Sequence, residues 1–198
     1  AFDATAREEI RWRRGWKPED VVFASIGRIQ RVKGQTRFLE AFARARSHNS
    51  NIVALLVGAR GSGEAADDRN YERELEDRVR QVEENGARVC RQPPTDRIAA
   101  LLSAIDVLVV ASDSESFGRI VLEAMACGLP VIATPCGGPQ ETVVDRQTGL
   151  VAKSFDPEAL AEAMVALAED PGKRAEMGAC GRRRVEEEFS LQTQARRT

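Results

Sequence analysis

Two acidic residues stand eight positions apart in the stretch SESFGRIVLEAMACGLPV. Glu115 precedes a Phe-Gly pair, and Glu123 falls inside the helical pattern that follows. A helix that opens behind a glycine offers free backbone amides and the positive end of its dipole, which favour an anion. Gly118 would let a ligand approach that backbone closely. Carboxylates are poor anion ligands but good acceptors for hydroxyls. A helix rises about 1.5 Å per residue, so the Glu123 carboxylate would lie about 8 Å below the helix start. Phosphate between two sets of hydroxyls is the ligand chemistry this spacing suits. Taken alone, Glu123 reads more simply as an exposed helix residue, since Val121, Leu122 and Met125 beside it are apolar.

A second cluster is cationic. In SIGRIQRVKG, Arg28 and Lys33 flank a loop that opens after Gly27 and closes on Gly34 before a helix. Two cations at the end of a strand can neutralise a pyrophosphate; they also read as ordinary surface charges. In PCGGPQE, Gly137 and Gly138 would permit backbone approach to a ligand, or simply form a tight turn.

The elements that must position these residues alternate. Apolar, β-branched runs at Val21–Gly27, Asn51–Gly58, Ala87–Gln92, Asp106–Ser112, Pro130–Pro135 and Thr148–Lys153 read as strands. Helical patterns separate them: Gly34–Arg46, with Phe38, Leu39, Phe42 and Ala45 on one face, then Tyr71–Gly86, Pro94–Ala104, Gly118–Gly128, Gly138–Asp145 and Asp156–Asp170. Thr95 or Asp96 is the expected N-cap of the third, and Asp156 of the last, with Pro157 at its first position. The polar segment Ala59–Asn70 reads as a loop, and Ala1–Pro18 as a helix leading into the sheet. Strand-helix alternation with wholly apolar strands specifies an α/β fold, a doubly wound, mostly parallel, Rossmann-like sheet. Such sheets bind ligands beyond the carboxyl ends of their strands, where the loops bearing Arg28, Lys33 and Glu115 lie.

Several chemistries lose support. The chain has 198 residues, 29 basic and 31 acidic, so no strong field draws nucleic acid. The basic run at Arg182–Arg184 is followed by Glu186–Glu188, a salt-bridged, solvated helix face. Four scattered cysteines and one histidine, His48, give no metal or disulfide framework and no Ser/His/Asp triad. No apolar run reaches the length of a membrane span, and no signal peptide opens the chain, so a reducing cytoplasmic location is the default. GARGSGE carries Glu64 where a P-loop needs lysine, and it fails the dinucleotide glycine fingerprint.

Taken in order, GRIQRVKG, the E-x7-E spacing of ESFGRIVLE, EAMACGLPVIATPCGG and TGLV resemble the C-terminal, donor-binding domain of GT-B fold retaining glycosyltransferases, family 4, from about Val21 to Phe189. The resemblance implies that residues 1–198 are a single nucleotide-sugar-binding domain, with 1–20 as the lead-in from a missing N-terminal, acceptor-binding domain. It implies that Arg28 and Lys33 bind the donor diphosphate and that Glu115 accepts hydrogen bonds from the transferred sugar. The amides of Phe117, Gly118 and Arg119 would meet sugar and phosphate oxygens, Glu123 the ribose hydroxyls, and Arg91 to Pro93 would lie near the base. Gly27, Gly137 and Gly138 would line the donor. The partner implied is a nucleotide-diphosphate sugar, with no metal or other cofactor. The enzyme would be cytoplasmic, peripheral to the membrane when complete, and the isolated domain would transfer poorly by itself. A non-catalytic nucleotide-sugar-binding module and a related epimerase remain alternatives. A phosphorylase is disfavoured because Lys33, Lys153 and Lys173 lack the setting of a pyridoxal-phosphate lysine.

Overall fold

Strands buried on both faces are apolar at nearly every position, and the runs at β1 (Val21–Ile26) and β2 (Ile52–Val57) are buried almost throughout, with Ser25 the one polar residue among them. The computed structural model describes residues 2–59, 66–116 and 118–189. With β3 (Arg88–Gln92), β4 (Val107–Val110), β5 (Val131–Ala133) and β6 (Gly149–Val151), these strands form one wholly parallel sheet of order β3-β2-β1-β4-β5-β6. Val21 pairs with Ile52 and Ile26 with Val57, and Phe23 sits opposite Val107 on the other side.

Alternation along the strands sorts the core into two layers. Phe23, Ala54, Val109 and Ile132 face α2 (Gln35–Arg46), α3 (Ala66–Glu84) and α7 (Pro157–Ala168). Val22, Ala24, Leu55 and Leu108 face α4 (Ile98–Ala104) and α5 (Arg119–Ala126). The expected apolar face of α2 is intact, with Phe38, Leu39, Phe42 and Ala45 all buried. The α6 helix (Gly138–Thr142) is a short turn, and α8 (Pro171–Glu188) packs along α5. On α8, Arg182 pairs with Glu186 (2.8 Å) and Arg184 with Glu188 (2.7 Å), the solvated face foreseen for that run. No helix among the described residues is long and apolar enough to cross a membrane.

Three local readings are corrected. The α3 helix starts at Ala66, not Tyr71, because Asp67 and Asp68 in its first turn favour the helix dipole; positions 60–65 lie outside the described residues. The α4 helix starts at Ile98, because the Thr95 hydroxyl accepts the Arg97 N–H (3.1 Å) in a local turn that competes with helix initiation. Asp156 sits at the start of α7, but its carboxylate takes the Ser154 hydroxyl (2.8 Å) rather than a helix amide.

The lead-in helix belongs to the domain. In α1 (Ala4–Arg13), Arg7 and Arg11 donate to Asp106 at 2.7 and 3.0 Å, and Asp106 also accepts the Val22 N–H at 2.7 Å. The other three Nη donors of Arg11 go to the carbonyls of Ala104, Lys17 and Asp20.

Just before β1, buried Asp20 faces Arg88 of β3, with one guanidinium nitrogen at 2.8 Å, and accepts the Lys17 N–H at 2.7 Å. Burial alone would raise the Asp20 pKa. The Arg88 and Lys17 hydrogen bonds and the charges of Arg88 and Arg11 outweigh it, so the carboxyl titrates below its usual 3.8. A pKa lower in the folded state than in the unfolded chain makes this contribution fully present well above pH 3.8. It is lost as pH falls through 3.8 toward the folded value. Thermal melts of Asp20→Asn are therefore expected to show about 2 kcal/mol less stability at neutral pH and a shallower acid limb; an unchanged acid limb rules Asp20 out as its source.

Candidate functional site

The sheet order reverses between β1 and β4, and the loops leaving those two strands meet there. Beyond β1, the chain passes Gly27 and Arg28, makes a 3-10 turn over Arg31–Lys33 and bends at Gly34 into α2. Gly34 has φ of +64°, and a Cβ there would stand 2.0 Å from the Ala111 carbonyl oxygen, so only glycine lets the loop lie over the end of β4. The Asp113 N–H donates to the Val32 carbonyl (2.8 Å). Arg37 clamps the same junction through the Ala111 carbonyl and Asp113, both at 2.6 Å.

The loop after β4 is laced in turn to the loop after β5. The Glu115 N–H donates to Cys136 (2.8 Å), and the Gly138 N–H donates back to Glu115 (2.7 Å). A Cβ on Gly138 would lie 2.4 Å from the Ser116 carbonyl oxygen. Gly138 is thus explained by the packing that fixes Glu115; Gly137, at φ +94°, stays exposed beside it.

With both loops fixed, two of the candidate residues meet. Lys33 Nζ lies 2.5 Å from Glu115 Oε2, their side chains 24% and 17% exposed, an ion pair at the reversal point of the sheet. Gly118, left-handed at φ +66°, opens α5, whose first amides have no intrahelical acceptor. Arg119 and Glu123 lie exposed on α5, and Arg28 is exposed beyond β1. Among the described residues none of these three has a hydrogen bond or ion pair from its side chain. The Phe117 amide lies outside the described residues.

From Gly27, whose α-carbon faces open space, a cleft of about 400 Å³ extends toward the β3 edge. Ile29, Gln35, Gly58, Arg91, Gln92 and Pro93 are among its walls, so the residues foreseen near a base do line a cavity. Of the GARGSGE stretch, only Gly58 and Ala59 are described, and both face this cleft. Under the ion pair, burial pushes the Cys136 thiol up; the Thr134 hydrogen bond opposes this and the Glu115 charge adds to it. A buried, protonated thiol is no nucleophile. No group of three or more metal-ligating side chains occurs among the described residues.

The site therefore offers Lys33, Arg28 and the α5 amides to an anion, Glu115 and Glu123 to hydroxyls, and a cleft to a flat ring. Gln35, Arg37 and Asp113 escape a reading of motifs; only the KGQTR helix start marks Gln35's neighbourhood.

Known proteins resemble this chain in sequence and in fold. The family model described as "Glycosyl transferases group 1" matches residues 6–184. A D-inositol 3-phosphate glycosyltransferase of Xylanimonas cellulosilytica is 36% identical over 184 residues, covering 91% of this chain and 42% of that protein. A GDP-mannose-dependent monoacylated alpha-(1-6)-phosphatidylinositol monomannoside mannosyltransferase of Corynebacterium glutamicum is 34% identical, covering 92% of this chain and 47% of its own length. Among solved structures, Anabaena HepE in complex with UDP-glucose superposes with a TM-score of 0.87 at 26% identity, over 98% of this chain and 51% of that one. The chain spans less than half the length of these two curated relatives.

Proposed function

The chain belongs to the group 1 glycosyl transferase family, and from that premise we propose that its reversal-point site binds a nucleotide-diphosphate sugar for retaining transfer. The acceptor would be held by a separate N-terminal domain. The observation that carries this reading is the Lys33–Glu115 ion pair set beside the start of α5. In the free protein the two charges satisfy one another. A bound donor replaces that contact on both sides, giving diphosphate to Lys33 and sugar hydroxyls to Glu115, so neither charge is left unpaired.

Arg28 joins Lys33 on the diphosphate, the amides of Gly118 and Arg119 at the start of α5 meet its oxygens and those of the sugar, Glu123 takes the ribose hydroxyls, and the cleft at Arg91, Gln92 and Pro93 takes the base. As the bond to the sugar breaks, negative charge grows on the leaving diphosphate. Two cations and a helix dipole fixed in place beforehand stabilise that charge, and the reading assigns no metal to the task. Glu115 orients the sugar. The four cysteines are free thiols, two of them buried, which supports a reducing, cytoplasmic setting.

Calorimetric titration with UDP-, GDP- and ADP-sugars tests the site. One donor is expected to bind, and Glu123→Ala to weaken it by about tenfold, the loss of a charged acceptor for ribose hydroxyls. Wild-type affinity in both Glu123→Ala and Lys33→Ala would overturn the placement.

A further inference from the structure

Behind the cation loop lies a buried hydrogen-bond chain for which the proposed chemistry has no use. Gln35 is 3% exposed and Tyr71 1%. The Gln35 Nε2 donates to the Arg28 carbonyl (2.8 Å), and its Oε1 accepts the Tyr71 hydroxyl (3.0 Å). The Tyr71 oxygen in turn accepts the Thr36 N–H (3.1 Å). On the outer side of the same tyrosine, the Arg31 guanidinium stacks at 5.1 Å from the ring centre and pairs with Glu74 at 2.9 Å.

The chain links three elements, α3, α2 and the loop after β1. Burial raises the Tyr71 pKa, with the Thr36 hydrogen bonds opposing it, so the phenol keeps its proton and remains a donor. That fixes the glutamine: its oxygen must face Tyr71 and its amide must face Arg28. A buried polar chain with every member satisfied specifies one geometry where an apolar contact would tolerate several. What this one specifies is the height of the Arg28 backbone, and so the point from which the Arg28 side chain leaves the loop. Arg28 is itself exposed, without a side-chain partner among the described residues, so its aim depends on its backbone. Gln35 also walls the cleft, so a ring seated there touches the residue that holds Arg28.

We infer that Tyr71 and Gln35 are positioning residues that hold Arg28 toward the diphosphate and tie the base end of the cleft to its phosphate end. This rests on the donor-site reading above. The Tyr71 hydroxyl is the clean handle, since the tyrosine is not a wall of the cleft and phenylalanine keeps its packing.

The test is a double-mutant cycle on this chain, titrating UDP, GDP and ADP, and the matching nucleosides uridine, guanosine and adenosine, against wild type, Tyr71→Phe, Arg28→Ala and the double variant. Tyr71→Phe is expected to weaken the nucleoside diphosphate about three- to tenfold, the scale of one hydrogen bond, and to change nucleoside affinity by less than about twofold. In the Arg28→Ala background it should cost nothing more, because the side chain it aims is gone. A merely structural tyrosine would lower both ligands alike and add its loss in either background. Additive losses, or diphosphate affinity unchanged in Tyr71→Phe, would overturn the positioning role alone. No binding of UDP, GDP or ADP by wild type would overturn the donor reading and this inference together.

Discussion

Lys33→Ala is expected to lower the affinity for the nucleoside diphosphate about 100-fold, and to lower kcat by a similar factor in a protein joining this chain to an acceptor-binding domain. Two effects of different origin add. The first is lost attraction, since a charged hydrogen bond to an oxyanion is worth on the order of 1.5 kcal/mol, about tenfold. The second comes from Glu115. In the free protein its carboxylate is 17% exposed and held 2.5 Å from Lys33. Without that cation the same carboxylate faces the incoming diphosphate with a like charge. Adding Glu115→Gln to Lys33→Ala separates the two. The double variant should recover about tenfold of the lost diphosphate affinity, while transfer stays low because the sugar has lost its charged acceptor. If the double variant binds no better than Lys33→Ala, the ion pair has no part in diphosphate recognition, and Lys33 and Glu115 act independently.

The candidate residues could be singled out because each stands where a local pattern changes. Lys33 precedes the glycine that starts a helix, Glu115 follows an apolar strand, and Glu123 keeps its spacing from Glu115 within one short segment. The alternation of apolar runs and helices sufficed for a parallel, doubly wound sheet. The ion pair was not legible. It joins positions 82 residues apart, and the residues that bring them together, Gly34 against Ala111 and Gly138 against Ser116, act through backbone contacts that leave no side-chain signature. Gly138, expected to permit backbone approach to a ligand, has a packing reason that the sequence does not display: the Ser116 carbonyl leaves no room for a Cβ. The start of α3 was placed too late because acidic first-turn residues look like loop composition, and that of α4 too early because a threonine turn looks like a helix cap, when read without their hydrogen bonds.

In the run RWRR, Arg11 to Arg14, two arginines have opposite surroundings. Arg13 is 68% exposed and pairs with Glu9 one turn away; Arg13→Ala is expected to cost less than about 1 kcal/mol. Arg11 has a side chain only 9% exposed and shares Asp106, itself 12% exposed, with Arg7 and the Val22 amide. Asp106→Ala strips the counter-charge from a buried guanidinium and leaves the Val22 N–H unpaired, a loss of about 3–5 kcal/mol. In a chain of this size, that shifts the melting temperature by on the order of 10 °C. The knot joins α1 to the amino ends of β1 and β4, whereas Lys33 and Glu115 stand beyond their carboxyl ends. Below the new melting temperature, Asp106→Ala should therefore keep near wild-type affinity for the nucleoside diphosphate. A melting shift under about 3 °C would show that Asp106 is not the clasp between α1 and the sheet. A large loss of affinity in the folded variant would show that strain at one end of β1 and β4 reaches the other, so that α1 helps to set the geometry of the Lys33–Glu115 pair.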